Sequence, residues 1–157
     1  MLVKYEGGGK SISASNAGHI VAIAGHTNVR LLHISSGEVV QNLNVEANSI
    51  MMSSDGEKVL TGCSSGSVEV YDVLTGMLDL KCSSNLGGCV VFVHWDDEFI
   101  IAATGAADGP ICWNIIGDDD YKYETYDRKF MWIYLSCCIR GNNICAKNCF
   151  KSIARSL

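Results

Sequence analysis

Short apolar runs separated by turn dipeptides dominate the first 127 residues of the chain. In the clearest stretch, residues 53–76, the turn signals Asp55-Gly56, Ser65-Gly66 and Thr75-Gly76 border two runs rich in β-branched residues. Side chains alternate between the two faces of a strand, and turn residues between such runs indicate an antiparallel meander. The pattern therefore predicts an all-β chain.

The same order of runs and turns occurs twice more. Gly56 follows Gly18 by 38 residues and Gly76 follows Gly37 by 39, while a looser copy places Gly105 43 residues after Gly62. A period of about 40 residues with four short strands is that of propeller blades. We predict repeats over residues 11–46, 47–85 and 86–127. Their predicted strands are 11–14, 20–24, 29–34 and 38–43, then 49–53, 58–62, 67–73 and 77–81, then 89–95, 99–104, 111–116 and 122–126.

Composition supports a folded body and separates it from the two ends of the chain. An apolar content of 48% in 157 residues favours one compact domain and argues against disorder. Residues 1–10, with a Gly triplet, are expected to be a flexible lead. Residues 1–127 hold all 17 acidic and six basic residues, whereas residues 128–157 hold six basic residues and no acidic residue. Such asymmetry predicts a tail of a different kind, basic, Cys-rich and poorly packed.

The N-terminal residues 1–9 lack the apolar core of a secretory signal, and no run approaches the roughly 18 apolar residues that span a bilayer. We therefore expect an intracellular protein, cytoplasmic or nuclear, with no transmembrane segment. In that setting the eight cysteines are expected to be reduced thiols.

The second repeat resembles the WD40 repeat family. Ser54-Asp55-Gly56, Val59-Leu60-Thr61-Gly62 and then residues 65–72 are similar to that family's blade, with Tyr71-Asp72 in place of the Trp-Asp dipeptide. Leu32-His33 takes that place in the first repeat, and Trp113-Asn114 arrives one residue early in the third. The resemblance covers about residues 11–127. It implies a non-catalytic protein-interaction scaffold without a cofactor, whose partners are other proteins in a multiprotein complex.

The resemblance also implies a buried hydrogen-bonded tetrad, which this chain matches in part. The second repeat offers Thr61 and Tyr71, but Ser65 stands where an Asp is expected and no His matches. The third repeat offers Thr104 and Asp108. The Gly25-His26 pair falls in a turn between the second and third strands rather than before the first. We therefore expect the blades to rest mainly on apolar packing.

A closed propeller has about four to eight blades, and this chain provides three. We expect a partial propeller with a dissimilar C-terminal tail, as a fragment or truncated product of a longer propeller. The alternative is a protomer that closes by assembly, since open edge strands otherwise promote aggregation.

Polar clusters in the body are read as structural. His19, His26, His33 and His94 have no Cys or Asp at nucleophile or metal spacing. The carboxylate runs 96–98 and 118–120 lack a Gly-kinked calcium loop and are read as solvated turns. Residues 7–11 resemble the end of a phosphate-binding loop but lack its earlier Gly and preceding apolar strand. We predict no catalytic, metal or cofactor-binding residue, and leave the partner-binding residues unassigned.

The tail admits several functions besides that of a poorly packed extension. Its apolar run 130–139 suits an interfacial helix with palmitoylated Cys137 and Cys138. These two cysteines could bind zinc together with Cys145 and Cys149, but the spacing of the four residues fits no common zinc-site pattern. Basic residues with Trp132 and Tyr134 suit RNA, so the alternative function is a subunit of an RNA-associated, ribosome-processing type of assembly. The acidic body is not expected to bind nucleic acid, which leaves contact through the tail alone.

Overall fold

Every described element of the protein is a β-strand. The structure is a computed structural model, and it describes residues 8–16, 18–83, 88–96, 99–104, 110–114 and 123–125. Each of the twelve strands coincides with a predicted one, and no strand end is displaced by more than two residues. The strands are β1 Ser11–Ala14, β2 Ile20–Ala24, β3 Val29–His33, β4 Val39–Leu43, β5 Ala47–Met52, β6 Lys58–Cys63, β7 Ser67–Asp72, β8 Leu78–Ser83, β9 Val90–Asp96, β10 Phe99–Thr104, β11 Pro110–Asn114 and β12 Tyr123–Thr125.

Consecutive strands form three antiparallel sheets of four strands each. The sheets follow chain order: β1 to β4, β5 to β8 and β9 to β12. The β3–β4 and β7–β8 turns use Gly37 and Gly76 at φ of 74° and 69°, in the left-handed region that favours glycine. The amide of Gly76 donates to the carbonyl of Asp72 over 2.9 Å, which closes the turn.

Alternate loops of an antiparallel meander lie at opposite ends of its sheet. We call the end with the β1–β2, β3–β4, β5–β6 and β7–β8 loops the lower edge, and the opposite end the upper edge. Backbone hydrogen bonds join loops at the lower edge, from Ile34 to the carbonyl of His19 over 2.9 Å and from Val73 to that of Glu57 over 2.8 Å.

Two apolar cores separate the three sheets. The first lies between the first and second sheets, and the second between the second and third. Because both faces of the second sheet are covered, Val59 packs in the first core and its neighbour Leu60 in the second. The first core contains Ala22, Ala24, Val29, Leu31, Leu43, Val45, Ala47, Ile50, Met52, Val59, Cys63 and Val73. The second contains Leu60, Val68, Val70, Cys82, Val90, Val93, Ile100 and Ala102.

A glycine allows the second and third sheets to approach closely. A Cβ atom on Gly62 would lie 2.6 Å from Cγ1 of Val90 and 2.8 Å from Cγ1 of Val93. Both distances are shorter than a carbon–carbon contact, which is optimal at about 3.5–4.0 Å. Gly62 is therefore required by the packing of β6 against β9.

Serine hydroxyls connect the first strands of successive sheets. Ser13 Oγ on β1 accepts the amide of Met52 on β5 over 2.9 Å, and Ser11 Oγ accepts that of Ile50 over 3.3 Å. Ser49 Oγ on β5 accepts the amide of Val93 on β9 over 3.2 Å. The same polar contact thus fixes both sheet pairs in register.

Candidate interaction surfaces

A buried carboxylate organises the face of the second sheet that is turned toward the first. Glu69 is only 6% exposed, although it is charged. Its Oε1 forms an ion pair with Lys81 Nζ at 2.6 Å and accepts a hydrogen bond from Ser67 Oγ at 3.1 Å. Its Oε2 accepts a hydrogen bond from Tyr71 Oη at 2.6 Å. Strand pairing of β7 with β8 places Glu69 opposite Lys81. A buried charge is tolerated when it is paired and hydrogen-bonded in this way.

The network controls the protonation of its members. Burial raises the pKa of Glu69, but the hydrogen bonds from Lys81, Tyr71 and Ser67 outweigh burial, so the pKa lies below its ordinary value. Burial and the carboxylate of Glu69 raise the pKa of the Tyr71 phenol. Glu69 is therefore an anion and Tyr71 a neutral donor at neutral pH, which makes the network a fixed structural contact.

Thr61 and Tyr71, the two tetrad candidates of the second repeat, both belong to this region. Thr61 is fully buried, and its hydroxyl donates to the backbone carbonyl of Glu69 over 3.1 Å. Ser65, at the position of the expected Asp, forms a hydroxyl pair with Ser67 at 2.9 Å. The polar centre is thus Glu69, a residue for which no role was predicted from the sequence. Its cross-strand partner Lys81 follows it by twelve residues, and opposite charges at facing positions of two predicted strands were the signal in the sequence.

The thiols of this region are poor nucleophiles. Burial raises the pKa of Cys82 to about 11 and also raises that of Cys63. The thiolate, not the thiol, is the reactive form. The cysteines with described side chains, Cys63, Cys82 and Cys89, are free thiols.

The upper edge carries a small, nearly neutral cluster. Lys10 Nζ lies 3.3 Å from Glu46 Oε1 and 3.1 Å from Asn48 Oδ1, and Ser64 Oγ donates to Glu46 over 3.1 Å. Hydrogen bonds from Lys10 and Ser64 hold the pKa of Glu46 below its usual value. Because Glu46 is more than half exposed, such an ion pair contributes little to stability.

Apolar side chains cover the face of the first sheet that is turned away from the second. Ala22 and Leu31 lie in the first core, so strand alternation places their neighbours on the opposite face. We call this the outward face; its apolar members are Ile12, Val21, Ile23, Leu32 and Val39, and the strand register places Arg30 and Asn42 on the same face. Its two margins are exposed, with Ile12 at 69% and Val39 at 57%, whereas Ile23 and Leu32 between them are only 9% and 8% exposed. The exposed margins of the outward face are therefore a candidate interaction surface.

The predicted polar residues are not brought together at a reactive centre in the part of the chain that the structure describes. His19 and His33 lie near each other at the lower edge, with ring centroids 6.4 Å apart, and Ser35 Oγ lies 3.1 Å from His33 Nδ1. His26 lies in the β2–β3 turn, as predicted, and His94 on β9. Within the described ranges, no three His, Cys, Asp or Glu side chains are grouped to hold a metal ion, and no helix has the length and apolar character of a membrane span.

Several predicted features lie outside the described residues. They are residues 1–7 of the lead, the acidic positions Asp97, Glu98 and Asp118 to Asp120, the tetrad candidate Asp108, and the whole tail 128–157. Trp113 lies on β11, and only its backbone is described.

Comparison with known proteins identifies the fold. No protein-family model matches the chain, and no curated protein matches its sequence. The β-propeller domain of Cps50 (Swd1) from Myceliophteria thermophila, a crystal structure, matches with a TM-score of 0.68 and 16% sequence identity. The match covers 79% of this chain but 39% of that one, so this chain spans less than half of the solved propeller chain. The chain is an all-β partial propeller of stacked four-stranded blades.

Proposed function

We propose that this protein is a non-catalytic protein-interaction scaffold and that it forms part of a longer WD40-like propeller. The observation that carries the proposal is the match to 39% of a propeller chain, together with an outward face that bears exposed apolar side chains. A closed propeller needs about four to eight blades. The blades are residues 11–46, 47–85 and 86–127, and a further blade or a partner protein covers the outward face.

The stacked sheets suit a scaffold because they are stiff and present short loops at two edges. Rigid β frameworks commonly bind partners through the loops that they position. The buried carboxylate of Glu69 also supports a non-catalytic role. It is already paired with Lys81 and hydrogen-bonded by Tyr71 and Ser67, so it is not available as an acid or base. The intracellular location, cytoplasmic or nuclear, remains a prediction.

Quantitative affinity purification tests the proposal with the full chain as bait. We expect proteins that co-purify in fixed proportion with the wild type and are lost with the double variant Ile12→Asp/Val39→Asp. Both positions are more than half exposed, so the variant should fold. Thr27→Asp, at an exposed site of the upper edge, is the matched control and should retain the partners. The proposal would be contradicted if the double variant retained the same partners as the wild type, or if the folded chain co-purified with no stoichiometric partner.

A second candidate function is membership of an RNA-associated assembly, with contact through the tail. It is favoured by the six basic residues and absence of acidic residues in 128–157. Basic segments bind nucleic acid with a strong salt dependence. RNA binding by the full chain that falls with salt and disappears on deletion of 128–157 would support it, and absence of binding would exclude it.

A further inference from the structure

The lower edge concentrates large exposed apolar side chains. We define the lower patch as Ile34, Leu74, Met77 and Leu78, which are 46%, 80%, 67% and 47% exposed. These are four of the seven large apolar side chains exposed in the described part of the chain. Single exposed apolar residues are ordinary, whereas a concentrated group commonly marks an interaction site.

The two hairpins that carry the lower patch lie side by side. Gln41 Nε2 in the middle of β4 donates to the carbonyl of Leu74 in the β7–β8 turn over 2.8 Å. A Cβ atom on Gly76 in that turn would lie 3.0 Å from Gln41 Oε1. Nearby, a Cβ atom on Gly56 would lie 3.0 Å from the Cβ of Ser15. The patch is therefore one surface that crosses from the first sheet to the second.

Carboxylates lie at the same edge as the lower patch. Glu38, Asp55 and Glu57 are in the lower-edge loops, and Asp72 is the last residue of β7. Lys58, the first residue of β6 at this edge, forms an ion pair with Asp79, whose Oδ2 lies 2.8 Å from its Nζ. Hydrogen bonds from Ser53 lower the pKa of Asp55, and those from Thr75 lower the pKa of Asp72, so both are ionised at neutral pH. The upper edge, where Lys10 pairs with Glu46, has no comparable excess of charge among its described residues.

We propose that the C-terminal segment 128–157 of the same chain docks on the lower patch. The segment has the complementary chemistry, with six basic residues, no acidic residue and the apolar run Phe130–Ile139. Burial of these apolar side chains against the patch and pairing of Arg and Lys with the lower-edge carboxylates would both favour docking. This proposal stands independently of the proposed scaffold function.

The chain is long enough to make this contact. The segment begins three residues after Thr125, the last residue of β12. Thirty residues reach about 100 Å when extended, since each residue spans about 3.3 Å. Packed sheets lie about 10 Å apart. The lower edge of the second sheet is therefore within reach of the segment.

Zero-length carbodiimide cross-linking of the full chain, mapped by mass spectrometry, tests the docking directly. The segment provides three amines, those of Lys129, Lys147 and Lys151. We expect amide cross-links from these lysines to Glu38, Asp55, Glu57 or Asp72, and none to Glu46 on the upper edge. The Lys10–Glu46 pair, 3.3 Å apart, is the internal positive control.

Two further comparisons make the test specific. Leu74→Ser/Met77→Ser should lower the yield of these cross-links several-fold, whereas Ile12→Ser, also at a well exposed position, should not. In a mixture of ¹⁴N- and ¹⁵N-labelled chains, the cross-linked peptides should be isotopically pure. Absence of the cross-links, equal yields to Glu46, or a mixed-isotope product alone would overturn the proposal.

Discussion

Tyr71 donates its hydroxyl hydrogen to Oε2 of Glu69 over 2.6 Å, on the face of the second sheet that packs toward the first. The phenol and the carboxylate lie two residues apart on β7, so strand alternation places them on the same face. Lys81, whose side chain is about half exposed, completes the charge pairing from β8. A polar network is thus built into the packing between the first two blades.

Glu69→Ala should lower the free energy of unfolding by about 1–3 kcal/mol, because buried donors that lose their acceptor are costly. The donors concerned are the hydroxyls of Tyr71 and Ser67. Glu57→Ala, which removes an exposed carboxylate, is the control and should change stability by less than about 0.5 kcal/mol. Urea unfolding of both variants measures the difference, and equal losses would show that the network does not stabilise the fold.

The pH dependence of stability should carry the signature of Glu69. Its pKa is lowered in the folded state, so its contribution is fully present above the unfolded-state pKa of about 4.3 and is lost as the pH falls through the folded-state value. Asp55 and Asp72 also have lowered pKa values, so the wild type alone is not diagnostic. The stability difference between wild type and Glu69→Gln should shrink between about pH 6 and about pH 3. A difference independent of pH would contradict this assignment.

Gly62→Ala should destabilise the protein by about 1–3 kcal/mol, the usual cost of overpacking a core. The added methyl group would lie 2.6 Å from Val90 Cγ1. Gly9→Ala is the control, since its Cβ would meet nothing closer than Ile23 Cγ2 at 3.7 Å. Adding Val90→Ala should partly restore the Gly62→Ala protein in a double-mutant cycle. Additive effects of the two substitutions in thermal unfolding would argue against close packing at this point.

Ser13→Ala should cost about 1–2 kcal/mol, because the amide of Met52 loses its acceptor in a partly buried position. Ser54→Ala, at an exposed position of the β5–β6 loop, is the matched control and should be close to neutral. Chemical denaturation compares the two variants. A neutral Ser13→Ala would mean that water replaces the hydroxyl and that the serine contact does not hold the blades together.

Local signals explain why the strands were predictable from the sequence while the polar network was not. Strand β7 is bordered by Ser65-Gly66 and Thr75-Gly76, and such turn residues specify hairpins regardless of the rest of the fold. The burial of Glu69 depends instead on the second sheet being covered on both faces and on Lys81 from another strand. In the same way, the requirement for Gly62 arises from Val90 in the next sheet, which no local pattern identifies.

This chain is a partial propeller, and its outward face keeps two exposed apolar margins at Ile12 and Val39. Size-exclusion chromatography with light scattering on the full chain tests whether association covers these margins. We predict a mass above the 17.0 kDa of a single chain, as a closed assembly or a larger aggregate. The double variant Ile12→Asp/Val39→Asp should lower this mass. A folded wild-type monomer of 17.0 kDa that does not associate at any concentration tested would show that the partial propeller needs no further cover.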